Sequence, residues 1–252
     1  MNSSAEDFRR RYEELKEKGF PFSEALNLTY ELGDSEEIEL HFEFVLEDRK
    51  RPRAQRWHPE DTFGHHRYKG VLYLKSLLTS EDQYCAVEAA YLLAELLPRG
   101  RYPDQEELTG ELIKTLLIYA ESEVAEYRRN CLIALGWVGT EHEIPTLERH
   151  LRSDPDSLCR AWSASAFLQM SGRLPNDILR EKTCEVLAFC IEHEPDVFVR
   201  GVAVETVQEI WNVKFGLRSS AVEARDQKAV DRGASRALKY LNEEAKLNNL
   251  DL

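Results

Sequence analysis

The chain has 252 residues, of which 42% are hydrophobic and 31% charged, enough apolar material for a substantial core and too much for a chain disordered throughout. A formal net charge of −13 argues against general binding to a phosphate backbone, which depends on cations displacing counterions, and it favours basic partners. No apolar run approaches the roughly 18 residues of a membrane span, and Met1 to Asp7 lacks the basic-then-apolar order of a leader, so no membrane segment and a cytoplasmic location are expected.

The first predicted helix runs from Ser4, a good cap, to Lys18, with Phe8, Tyr12 and Leu15 on one face and Gly19 after it. Pro21 to Leu32 and Ser35 to Glu47 follow as helices. The first of these carries Phe22, Ala25, Leu26, Leu28 and Leu32 as its apolar positions. In the second, Ile38, Leu40, Phe42 and Phe44 alternate as a strand would, yet one isolated strand in a helical chain has no partner, so helix is expected. Asp48 to Lys69 lacks helical periodicity and carries Pro52, Pro59 and Gly64, which predicts a long loop.

Helical periodicity then resumes over Gly70 to Leu78, Glu81 to Leu97, Gln105 to Ala120, Glu123 to Val138 and Ile144 to Leu151, where Pro145 sits in a first turn that tolerates it. Ser157 to Met170, Asn176 to Glu192 and Val197 to Asn212 continue the series. Lys214 to Asp226 is a less periodic connection, and Gln227 to Leu247 closes the chain with Val230, Ala234, Ala237, Leu238 and Leu241 as its apolar stripe.

Within this series one word recurs. Tyr127-Arg128, Cys159-Arg160 and Val199-Arg200 each lead, after two free positions, to paired small or apolar residues and a larger apolar one. The arginines are 32 and 40 residues apart, a period that marks stacked helix pairs, each unable to bury its apolar face alone. The acidic turns Asp154-Pro155-Asp156 and Glu194-Pro195-Asp196 precede two of the copies.

These turns and words resemble HEAT repeats, the paired-helix units of armadillo-like superhelices. The resemblance covers roughly Gly70 to Trp211, is strongest from Glu123 onward, and departs from the pattern where Cys85 replaces the arginine of the first unit. It implies an all-α solenoid of antiparallel helix pairs with a groove generally used to hold other proteins, and it implies no reaction. The organisation expected is one continuous domain: 1–69 as N-terminal helices plus a basic loop, 70–212 as the repeats, and 213–252 as a capping helix. At the shared repeat position Arg128, Arg160 and Arg200 are expected to bridge to acidic groups or helix-end carbonyls of an adjacent unit rather than to bind a ligand.

Candidate chemistry is sparse. His142-Glu143 and His193-Glu194 are similar to the paired ligands of HEAT-like deoxyhypusine hydroxylases, but four such pairs are needed and these two fall in turns, which reads as solvated polar residues. HEAT-like DNA glycosylases need a cationic, aromatic groove; Trp137, Trp162 and Trp211 are available, but the net charge repels phosphates. Bilin lyases share the repeat too, and no cue in the sequence separates them from scaffolds. The five cysteines (Cys85, Cys131, Cys159, Cys184, Cys190) are odd in number and contain no Cys-x-x-Cys, so neither a disulfide framework nor a zinc site is expected of them, and three fall on inward-facing positions. No metal, cofactor or catalytic residue is assigned.

The sharpest anomaly is local. From Arg49 to Lys69 there are seven Lys or Arg against Glu60 and Asp61, so the segment is +5 while the remainder is −18. Arg49, Lys50, Arg51, Arg53, Arg56, Trp57, His58, His65, His66 and Arg67 are the candidate partner-binding residues, forming a basic-aromatic tongue. Composition alone favours a solvated, mobile loop, and His58, His65 and His66 lack a positioned carboxylate or thiolate companion for metal. The function expected is a non-enzymatic protein-binding module with an acidic surface for a basic protein, in its more specific form an immunity or inhibitor protein that covers a basic toxin. The alternative is an enzyme on the same scaffold: a metal-dependent hydroxylase, a lyase or a nucleic-acid repair protein. The residues leave the oligomeric state open.

Overall fold

The computed structural model describes residues 4–248, with side chains through Glu244; the outermost residues of the expected 1–69 and 213–252 regions lie outside the described residues. Among the described residues there are thirteen α-helices and no strand. The chain divides into two compact units, Met1–Leu112 and Ile113–Leu252, with the division inside one helix, α6 (Gln105–Ala120).

The first unit holds α1 (Ala5–Glu17), α2 (Phe22–Gly33), α3 (Ile38–Arg49), α4 (Arg67–Leu77) and α5 (Gln83–Leu96). Ser4 caps α1 by accepting from the backbone N–H of Asp7 at 3.3 Å, and Asp82 caps α5 through Tyr84 and Cys85. α3 resolves the strand-like alternation of its sequence. It is covered on more than one side: Phe44 stacks on Tyr12 of α1 with ring centroids 4.3 Å apart, while Phe42 meets Phe63 and Tyr73 edge-on. A helix buried over so wide an arc needs apolar residues off its main stripe, and here they fall at every second position.

The expected loop at 48–69 is instead a packed segment. It contains short 3-10 turns at Arg53–Gln55 and Pro59–His66 and then enters α4 three residues before the expected start. Trp57, Pro59, Thr62, Phe63 and His66 are buried, so the segment is anchored on its apolar side while residues such as Lys50, Arg53 and Arg67 face solvent. Its apolar residues fix it: Trp57 stacks on Phe20 at 5.4 Å and lies 6.0 Å from Tyr12, within the cluster formed by Phe8, Tyr12, Leu28, Leu32 and Phe44. The basic residues dominate the composition, but burial of two large aromatic rings decides the conformation.

The second unit completes α6 and adds α7 (Ala125–Val138), α8 (Ile144–Ser153), α9 (Ser157–Met170), α10 (Asn176–His193), α11 (Val197–Trp211), the short α12 (Ser219–Glu223) and α13 (Gln227–Asn248). α7, α9, α11 and α13 pack in succession as one row, while α8 and α10 pack against each other and onto that row, the layering of an α-solenoid of helix pairs. The row is close-set. A Cβ on Gly136 of α7 would lie 2.8 Å from the Cα of Ala166 on α9, so only glycine fits at this crossing.

The repeated arginines bind the units of this row. Arg128 donates through Nε and a terminal nitrogen to both oxygens of Asp154 at 2.9 and 2.7 Å, and Arg160 does the same to Glu194 at 2.7 and 2.9 Å. Each acceptor is the first residue of an acidic turn and also accepts from the backbone N–H two residues on, Asp156 and Asp196. The side chains of those residues then cap α9 and α11. One turn thus fixes the preceding unit and starts the next helix. Arg200 pairs with Asp231 of α13 at 2.5 Å.

Candidate functional site

The first unit carries the anomalous segment, and Asp48 organises its entry. This carboxylate is fully buried at the end of α3, where the backbone N–H groups of Trp57 and His58 donate to its two oxygens at 3.0 and 3.2 Å. Burial pushes the Asp48 carboxyl above its usual range, against the two backbone donors that lower it. Arg56 donates to the carbonyls of Arg49 and Arg51, closing the C-terminal end of α3.

Several of the expected site residues are therefore engaged internally. Arg49 pairs with Glu60 at 3.1 Å and lies over the Tyr91 ring, Arg51 lies over the Phe20 ring at 4.0 Å, and Lys50 lies over Tyr84. His66 is buried 2.8 Å from Nδ1 of His41, whose Nε2 donates to the carbonyl of Pro59 at 2.7 Å. Burial holds the His41 imidazole down to about 3 and also lowers His66. Lys50, Arg53, His58, His65 and Arg67 are exposed, with His65 paired to Asp34 at 2.9 Å. The segment is not a free cationic tongue: its two ends differ, and only part of its charge faces outward.

What the structure brings together is a groove of about 290 Å³ between α2 and the segment. Phe20, Phe22, Leu26, Tyr30 and Trp57 supply apolar lining, and Arg56, His58, Asp61 and His65 supply polar lining. Along α2 the row Phe22, Leu26 and Tyr30 is 82%, 40% and 51% exposed, whereas Ala25, Leu28 and Leu32 of the same helix are buried. Trp57 is only 9% exposed, and its indole Nε1 is buried without a hydrogen-bond partner. Phe22, Leu26 and Tyr30 are absent from the sequence-predicted site, although their four-residue spacing marks a second apolar face on α2.

In the second unit, the repeat arginines and the glutamates of the His-Glu pairs have structural partners. Glu143 closes a capping box with Thr140, and Glu194 receives Arg160. The Asp154 carboxyl is pushed up by burial, but hydrogen bonds from Arg128, the Asp156 N–H and His150 carry it below the usual carboxylate range. Burial drives the Cys159 and Cys190 thiols up to about 12, far from a reactive thiolate. A larger open cleft of about 940 Å³ is lined by Glu205, Gln208, Glu209, Asn212, Lys214 and Arg218 among others, where Gln208 secures the 212–218 connection through the N–H groups of Phe215 and Leu217. Burial raises the Glu205 carboxyl against a hydrogen bond from Ser219, which lines the same cleft.

The helix-pair fold has a counterpart among known families. Residues 71–167 match the model for HEAT repeats, a stretch that contains the Tyr127 and Cys159 words and the Asp154 turn and ends before the Glu194 turn and the Val199 word. Two crystal structures of engineered proteins from the Northeast Structural Genomics Consortium are similar. One is 20% identical with a TM-score of 0.45, over 82% of this chain and 90% of that one; the other is 18% identical with a TM-score of 0.45, over 87% and 64%. No curated protein matches the chain. Among the described residues no helix is long and apolar enough to cross a membrane.

Proposed function

We propose that this protein is a non-catalytic HEAT-repeat scaffold that captures a basic protein, and that the groove between α2 and the 56–65 segment receives an apolar side chain of that partner. The exposed row Phe22, Leu26 and Tyr30 carries the reading. Large apolar side chains aligned on one helix face, beside an aromatic-lined groove, are the usual mark of a protein contact.

Charge supports a basic partner. Met1 to Glu47 contains thirteen acidic residues against five basic ones, and Asp61 is exposed at the groove. Complementary charge speeds encounter and makes the association rate fall with salt. In its more specific form the protein is a cytoplasmic immunity or inhibitor protein that covers a basic toxin such as a secreted nuclease, a reading motivated by the net charge of −13. The outward residues Lys50, Arg53 and Arg67 then serve as a rim that meets acidic positions on the same partner.

The test is affinity capture with the intact chain and with a Phe22→Ser, Leu26→Ser, Tyr30→Ser variant, followed by association kinetics with the purified partner over a range of salt. The expected result is a basic protein whose affinity drops at least about tenfold in the variant and whose association slows as salt rises. Equal affinity for both forms would remove the groove, and an association rate indifferent to salt would remove the basic partner.

A further inference from the structure

The joint between Asp48, His58 and Glu60 contains more liganding capacity than its packing uses. The two backbone donors to Asp48 leave a lone pair on each carboxylate oxygen. The His58 ring is half exposed, and its Nδ1 lies 3.4 Å from Oε1 of Glu60. The Glu60 side chain is only 9% exposed; Oε1 faces Arg49 at 3.1 Å, while Oε2 is buried and accepts from no described residue. An anionic oxygen withdrawn from water without a donor is the kind of orphan that a cation satisfies.

One ligand atom from each of these three residues lies within 4.8 Å of the other two. From this arrangement the geometry points to a divalent metal site of the zinc type, in which a carboxylate oxygen of Asp48, Nδ1 of His58 and a carboxylate oxygen of Glu60 bind one ion, and water completes the set. In a tetrahedral zinc site with bonds of about 2.1 Å, neighbouring ligand atoms sit about 3.4 Å apart. Nδ1 of His58 and Oε1 of Glu60 already have that spacing, and the three ligand atoms draw in from within 4.8 Å of one another.

The ligand chemistry selects the ion. Imidazole with two carboxylates suits zinc, whereas calcium and magnesium take oxygen ligands in larger number. Two carboxylates balance the divalent charge. Two cations face the cluster. Arg49 competes for Glu60, but its Nε, which makes no hydrogen bond, stands 3.9 Å from the Glu88 carboxylate. Arg51 Nε stands 4.0 Å from Asp48. The site rests on α3 and the 58–60 turn alone, independently of any protein partner.

The test is calorimetric titration of the full chain, cleared with a chelator and kept reduced, with Zn²⁺ alone. Three variants accompany it: His58→Asn, because asparagine tolerates the left-handed backbone found at His58, Glu60→Gln, and His193→Asn as an exposed histidine elsewhere. The expected result is one ion per chain, affinity lowered on the order of tenfold or more by His58→Asn and by Glu60→Gln, and no change in His193→Asn. The melting temperature rises with zinc in the intact chain and much less in His58→Asn, which keeps the test readable if Glu60→Gln disturbs folding. No uptake, or uptake equal in all four proteins as binding to the thiols would give, overturns the site.

Discussion

Arg128 holds Asp154 across two repeats, donating from α7 to both oxygens of a carboxylate that lies in the turn between α8 and α9. Both side chains are nearly excluded from water, and the same guanidinium also donates to the carbonyls of Ser122 and Glu123. Truncating one partner leaves the other charge buried and unpaired. Asp154→Ala is expected to destabilise the protein by about 3–5 kcal/mol, and adding Arg128→Met recovers only the part due to the unpaired guanidinium, because the Asp156 N–H and the carbonyls of Ser122 and Glu123 lose their partners as well. Urea unfolding of the two variants beside the intact chain measures both.

Acid should act on the protein in two windows. The His41 imidazole is held at about 3 in the folded chain and returns to its ordinary value on unfolding, so the unfolded state takes up a proton first as pH falls. Stability therefore declines from about pH 6.5 downward, by about 1.4 kcal/mol per pH unit for each such group, with His66 adding to the slope. Asp156 and Asp196 have depressed carboxyls, Asp156 chiefly through Arg129; their stabilisation is present above the unfolded value near 4 and is lost below it. Denaturant melts from pH 7 to 4 should show the first decline, reduced in His41→Gln.

The two glycines of adjacent helices should respond oppositely to a methyl group. Gly136→Ala drives a Cβ against the backbone of α9 and is expected to cost about 1–3 kcal/mol. Gly110 of α6 has open space where its Cβ would stand, so Gly110→Ala should stabilise by about 0.5–1 kcal/mol. Thermal melts distinguish the signs.

The groove in the first unit separates binding from stability. Phe22→Ser and Tyr30→Ser alter exposed side chains and should shift stability by no more than about 0.5 kcal/mol, while Trp57→Ala removes a ring packed among Tyr12, Phe20 and Phe44 and should cost about 3–5 kcal/mol. Denaturation of the three variants tests the division directly.

Much of this architecture was legible in residues with short-range rules. Ser157 to Met170 has both ends where the sequence places them, because Asp156 accepts from the N–H of Cys159 and the periodicity stops at Met170. The arginine words likewise announced their partners. The 48–69 segment misled because its seven cations outweigh its few aromatics in composition, whereas in space Trp57 and Phe63 sit in the core and Asp48 gathers the backbone. That junction spans nine and ten residues of sequence, and no periodicity reports it. The outward face of α2 was visible as spacing, but its exposure depends on which neighbours cover the helix.

The clasp between repeats has a bearing on ancestry. Each unit gives a guanidinium forward and offers a carboxylate backward, so a segment excised from Arg129 through Arg160 would take one of each away and leave Arg128 facing Glu194. Such a chain can be shortened or lengthened by unequal recombination with the clasp itself intact, while Asp231 on α13, which receives Arg200, gives the series its end.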